Sequence, residues 1–93
     1  MIDLFFFETE AEAIAAAHAL EKLGGRAKKI LSECIQHQII TRKSVSETAR
    51  TLESEGFIFI KEFDGLFDKS FEIRPSLFGE EAMDIDLLIH NHD

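Results

Sequence analysis

The stretch Ile40–Ile58, ITRKSVSETARTLESEGFI, decides the fold. It opens on a polar turn, Thr41-Arg42-Lys43, and runs into residues whose apolar members Val45, Ala49 and Leu52 recur at i, i+4 and i+7. That spacing places three apolar side chains on one face of a helix covering about Ser44 to Glu55. Gly56 stops the helix, because glycine accepts the left-handed backbone that closes a last turn. The chain then passes directly into a β-rich run, Phe57 to Phe63.

C-terminal to this stretch, Phe57–Phe63 and Asp68–Arg74 predict a hairpin around Asp64-Gly65. A two-residue turn would set Ile60 against Lys69 and Phe57 against Glu72. A four-residue loop, Asp64 to Phe67, sets Ile58 opposite Ile73, Ile60 opposite Phe71 and Glu62 opposite Lys69. The second register pairs apolar with apolar and acid with base, so it is the one expected. Pro75 ends the second strand, and Gly79 precedes a last helix from Glu80 to about Ile89.

N-terminal to the stretch, Arg26 to about His37 reads as an amphipathic helix. Ile30, Leu31, Cys34 and Ile35 face inward, and Lys28, Lys29 and Glu33 face outward. Before it, Thr9 with Glu12 three residues later forms a capping box that starts a helix running to about Leu23 and stopping at Gly24-Gly25. Glu8, Glu10 and Glu12 suit the positive end of that helix dipole. Ile14, Ala17 and Leu20 or His18 mark its inner stripe, and the alanines keep it slim. Met1–Phe7 alternates as a short strand. The chain is therefore read as one α+β domain. It has an N-terminal strand (1–8), three helices (9–56), a hairpin (57–75) and a C-terminal helix (79–90).

Composition agrees with a single packed domain. Ninety-three residues support one core, and nine Phe supply large buried area in a chain with no Trp or Tyr. The lone Cys34 has no intrachain disulfide partner and fits a buried thiol in a reducing cytoplasm. MIDLFFFE has an acid where a signal peptide wants a base, and Glu12, His18 and Glu21 interrupt the alanine run. No membrane partner is expected, and a cytoplasmic protein is.

Two fragments carry a family resemblance. Arg42–Ile58, RKSVSETARTLESEGFI, is similar to the recognition helix of MarR-like and related winged helix-turn-helix regulators. Ile73–Ala82, IRPSLFGEEA, resembles the end of their wing, where the chain enters the next helix through a glycine. With the Arg26–Gln38 helix these fall within residues 26–82, a span of somewhat under two-thirds of the chain. The resemblance implies a winged helix, a DNA-binding transcriptional regulator and a homodimer, since such regulators commonly pair through terminal elements. It places the 44–55 helix in the major groove, with residues near its N-terminus at base edges. On this chain those positions are Arg42, Lys43, Ser44, Ser46, Glu47 and Arg50. The alternative for this helix face is a solvated surface on which Glu47 simply pairs with Lys43 and Arg50, four and three residues away.

Charge divides the two readings. Residues 26–50 hold Arg26, Lys28, Lys29, Arg42, Lys43 and Arg50 against Glu33 and Glu47, a net +4, so the rest of a −8 chain carries −12. A basic belt that includes Lys28 and Lys29 favours DNA. The hairpin tip, Asp64-Gly65-Leu66-Phe67 followed by Asp68, favours a protein partner, because wings in the minor groove use Arg or Lys. The exposed residues of that alternative are Asp64, Leu66, Phe67 and Asp68. For the dimer, Phe57, Phe59 and Phe63 on the sheet and Phe5–Phe7 at the N-terminus are the apolar residues in excess of one small core.

His90-Asn91-His92-Asp93 has the His-x-His spacing of a metal clamp, but it sits at a chain end with no cysteine. Ser44 and Ser46 lack a triad order or glycine elbow. No phosphate loop occurs. The expectation is a non-enzymatic domain without a cofactor, a DNA-binding transcriptional regulator, with a protein-binding inhibitor or adaptor as the alternative.

Overall fold

A computed structural model describes residues 8–66 and 68–90, with the side chain of His90 left aside. The domain is α+β, with four helices and a three-stranded antiparallel sheet. In chain order the elements are α1 (Glu10–Leu23), α2 (Gly25–His37), β1 (Ile40–Arg42), α3 (Glu47–Ser54), β2 (Ile58–Asp64), β3 (Lys69–Pro75) and α4 (Leu77–His90). The sheet order is β1-β3-β2, so β3 is central and, among the described residues, β2 forms a free edge. The expected strand at Met1–Phe7 lies outside the described residues.

The capping box forms. Thr9 Oγ1 accepts the Glu12 N–H at 3.2 Å, and Glu12 Oε2 accepts the Glu8 N–H at 3.2 Å. The inner stripe of α1 is Ala13, Ala16, Ala17 and Leu20. Ile14 is instead exposed, as is His18. The small inner face lets α4 lie against α1. Gly24, at φ 94°, turns the chain into α2.

α2 buries Ala27, Leu31 and Cys34, with Ile30 and Ile35 packed beside them. It ends on Gln38 at φ 65°, an uncommon backbone for a residue with a side chain. Gln38 is held there by its own backbone N–H, donated to the Cys34 carbonyl at 2.7 Å. Its side-chain amide donates to the Ile35 carbonyl at 2.7 Å and to Glu80 at 3.0 Å.

The first correction falls at the polar turn. Ile40–Arg42 is strand β1, paired antiparallel with β3 through Ile40–Ile73, Thr41–Glu72 and Arg42–Phe71. Two consecutive apolar residues, Ile39 and Ile40, gave no alternation by which a three-residue strand could be recognised. α3 is correspondingly short. Ser46 is its N-cap, accepting the Ala49 N–H at 3.2 Å, so Lys43 and Ser44 precede the helix. Ala49 and Leu52 are buried as the spacing required.

The hairpin register is the second correction. Ile58 faces Pro75, Ile60 faces Ile73, Glu62 faces Phe71 and Asp64 faces Lys69, a shift of two residues from expectation. The pairing is governed by both edges of β3 at once. Ile73 lies between Ile40 and Ile60, so one apolar row crosses all three strands. An even shift preserves which residues share a face. Glu62 and Lys69 therefore still meet, diagonally, at 3.3 Å.

The third correction concerns Gly79, which lies inside the first turn of α4 instead of preceding the helix. Ser76 caps that turn. Its hydroxyl accepts the Gly79 N–H at 2.8 Å and donates to the Gly56 carbonyl at 2.6 Å. A Cβ on Gly79 would sit 2.1 Å from the Phe57 carbonyl oxygen, so only glycine permits this approach of helix to hairpin. Phe57 is wholly buried, with its ring 5.0 Å from Phe78, and does not belong to the exposed sheet face assigned to it above. The core comprises these residues with Leu20, Leu31, Leu52, Ile58 and Ile85. Among the described residues no helix is long and apolar enough to cross a membrane.

Candidate interaction surfaces

The residues assigned to DNA separate into three places. Arg42, Ser44 and Ser46 line one cleft of about 260 Å³ with Glu33, Ile30, Ile40, Val45, Ala49 and Ile73. It is bounded by α2, β1 and the start of α3. Arg42 stands there by virtue of β1, not of a helix. Its guanidinium lies 3.7 Å from Glu33 and donates to the Thr41 carbonyl at 3.1 Å.

Arg50 turns away from that cleft. It lies 5.5 Å above the Phe71 ring and 3.8 Å from Glu53. The stripe expected from Lys43, Glu47 and Arg50 does not exist, because Lys43 is not helical. Glu47 instead occupies the first turn of α3, where its charge favours the helix N-terminus. Lys43 is exposed and has no ion pair among the described residues.

Lys28 and Lys29 lie elsewhere, on a groove between α2 and α4 lined by Gly25, Ser32, Met83, Asp86 and Leu87. Lys28 pairs with Glu21 of α1 and, at 3.1 Å, with Asp86 of α4. The hydrogen bond from Glu21 raises the Lys28 pKa above its usual 10.5 against an opposing desolvation, and Asp86 adds to the rise. This lysine joins three helices. Desolvation by burial pushes the Cys34 thiol up to about 11, with the Glu80 charge contributing, so Cys34 is a protonated core residue at neutral pH.

Half of the expected basic belt, three cations of six, is thus matched locally by acid; Arg26, Lys29 and Lys43 have no ion pair among the described residues. Arg42 has Glu33, Arg50 has Glu53, and Lys28 has Glu21 and Asp86. On the hairpin, Lys69 has Glu62 and Arg74 has Glu72 at 2.8 Å. Apart from Lys28 with the buried Asp86, these are surface pairs, weak as stabilisers, that reduce the local field.

The hairpin presents a different surface. Phe59 is 62% exposed and Phe63 41%, both on the sheet face turned away from the core, with the Lys61 ammonium 5.1 Å from the Phe63 ring. Leu66 at the tip is 96% exposed, flanked by exposed Asp64 and Asp68. Phe67, the remaining tip residue assigned to protein binding, lies outside the described residues. Sequence reading found this tip. It did not find the free backbone edge of β2, because which N–H groups point outward depends on the register.

Among the described residues no cluster of His, Cys, Asp and Glu is arranged to hold a metal ion. Comparison with protein-family models, with curated proteins and with solved structures returns no match for this chain.

Proposed function

We propose that this chain is a winged-helix domain whose task is to bind another protein. The architecture supports the winged reading: helices precede a hairpin whose base is clamped to the following helix, and a short strand adds to the hairpin. It differs from a helix-turn-helix in one respect. Strand β1, not a tight turn, separates α2 from α3.

The observation that carries the protein-binding reading is the neutralisation of Arg42, Arg50 and Lys28 by neighbouring carboxylates, in a chain of net charge −8. Phosphate binding gains its free energy from unpaired cations that release counterions, and each internal pair reduces that gain. The exposed hairpin, with Phe59, Phe63 and Leu66 among acids, suits a partner with apolar and basic groups.

The DNA reading retains the cations left over. Among the described residues Lys43, beside Ser44, Ser46 and Arg42 at the entrance to α3, has no ion pair, and neither do Arg26 and Lys29. Titration of mixed-sequence duplex DNA at low and at moderate salt decides between the two. The protein-binding reading expects no binding even at low salt. Binding that weakens with salt and is lost when Arg42, Lys43 and Arg50 are changed to Ala replaces it with the DNA reading. A second copy of the chain is also a candidate partner, because Leu77, Leu87 and Leu88 of α4 are exposed. A monomer mass independent of concentration in sedimentation would remove that candidate.

A further inference from the structure

The backbone of β2 has a determinable outer side. In an antiparallel pair, alternate residues turn their N–H and C=O groups toward the partner strand and away from it. Ser76 donates its N–H to the Phe57 carbonyl at 3.1 Å, and Gly65 donates its N–H to the Asp68 carbonyl at 2.7 Å. Both bonds join facing residues in the same register as the strands between them. Phe57 and Gly65 therefore face β3, and so do Phe59, Lys61 and Phe63. Ile58, Ile60, Glu62 and Asp64 turn their backbone groups to the free edge.

Among the described residues the edge is closed at only one of these. The Ile60 N–H donates to Glu53 Oε2 of α3 at 3.2 Å, which confirms the alternation independently. Past Ile60 the strand runs beyond α3, and Glu62 and Asp64 are exposed. Unpaired edges of this kind recruit another strand, and they are commonly protected by charge or a covering element. Here α3 protects the beginning of the edge and leaves its end open.

We propose that the free edge of β2 from Lys61 to Asp64 receives an extended segment of a partner protein in which basic and apolar side chains alternate. This deepens the protein-binding reading and rests on it. The chemistry follows from the two faces of the strand. On the core-side face the edge carries Glu62 and Asp64, with Glu53 nearby; Lys69 of the inner strand pairs with Glu62 and Arg50 with Glu53, and no ion pair to Asp64 occurs among the described residues. On the outer face it carries Phe59 and Phe63. A docked strand places successive residues on alternate faces, so its basic side chains meet the carboxylates and its apolar ones meet the phenylalanines. A second copy of β2 fits poorly. Antiparallel pairing would set its Glu62 and Asp64 against acids or against Ile58 and Ile60.

The test uses the whole chain, 15N-labelled, titrated with an end-blocked alternating lysine–valine octapeptide. The expected result is amide shifts concentrated at 61–64, with slowed hydrogen exchange at Glu62 and Asp64 and weakening at higher salt. Glu62→Pro removes an outward N–H while leaving the β3 ladder intact, a position where edge strands accept proline. It should weaken the peptide about tenfold, whereas Glu62→Gln, which removes only charge, should cost less. Equal binding by Glu62→Pro, shifts centred on another surface, or no shifts overturn the proposal. A perturbation elsewhere leaves the protein-binding reading standing. Duplex DNA shifting Lys43 and its neighbours under the same conditions overturns that reading itself. The native-like spectrum of Glu62→Pro, recorded first, separates lost binding from lost folding. If that variant unfolds, Phe63→Ser on the outer face supplies the same decision.

Discussion

The two ends of the β2–β3 hairpin are built from the same strands and behave as opposites. At the base, Phe57 is wholly buried, Ser76 is 5% exposed, and Gly79 brings α4 against the Phe57 carbonyl. One serine hydroxyl ties Gly56 to Gly79 there. At the tip, Leu66 is almost fully exposed and the turn is closed by its own Gly65–Asp68 bond. The base ties the hairpin to the following helix, whereas Leu66 at the tip lies open to solvent.

The largest expected effect strikes the base. Gly79→Ala puts a methyl group within 2.1 Å of the Phe57 carbonyl oxygen. Backbone cannot move aside as a flexible side chain can, so α4 must shift off the hairpin. We expect a loss of about 3 kcal/mol, the upper end of overpacking costs, read by denaturant unfolding. An unchanged midpoint would show that the helix and hairpin are less tightly apposed than described. Ser76→Ala comes next. It removes the α4 N-cap and the bond to Gly56 together, and about 1–2 kcal/mol should be lost. A loss within a few tenths of a kcal/mol would reduce the clamp to a steric contact.

These two residues also mark how much of the fold could be read in advance. Thr9 and Glu12, and the Ala49–Leu52 spacing, are local signals in which neighbours in sequence are neighbours in space, and both work as expected, whereas Val45 lies ahead of the helix, before its N-cap Ser46. Gly79 looked like a helix boundary because glycine usually ends helices. Its actual role depends on Phe57, twenty-two residues earlier, a contact no local pattern encodes. Strand β1 and the hairpin register were likewise hidden, since both are set by pairing with β3. Among the site residues, Arg42, Ser44 and Ser46 do come together, but Arg50 pairs with Glu53 of its own helix and Lys28 with acids on other elements. Residue type identified the cations. Only the fold showed which had already been matched.

Between base and tip in effect lies a pH dependence of the helical layer. Cys34 holds its proton up to about 11 in the folded chain, against an ordinary value of 9.0. The unfolded chain therefore binds fewer protons over that interval, and stability falls as pH rises from 9.0 towards 11. Lys28 acts in the same direction. Its raised pKa gives stability that is fully present below 10.5 and is lost as pH rises through the folded value. Unfolding midpoints measured across alkaline pH should decline in the wild type and decline less in Cys34→Ala. A flat profile would remove the argument that Cys34 is desolvated.

The smallest effect belongs to the tip. Leu66→Ser replaces an exposed apolar side chain with a polar one that solvent accommodates equally well, so stability should change by less than about 0.5 kcal/mol. The substitution sharpens the comparison because its two outcomes mean different things. If stability is unchanged, the tip is structurally dispensable, and its leucine, flanked by Asp64 and Asp68, is free to serve a partner. If Leu66→Ser destabilises the domain by as much as Ser76→Ala, the leucine is buried against something in the folded chain in solution. The base and tip would then not be opposites, and the exposed hairpin could no longer support the protein-binding reading. Thermal unfolding of the two variants side by side distinguishes these cases without knowledge of the partner.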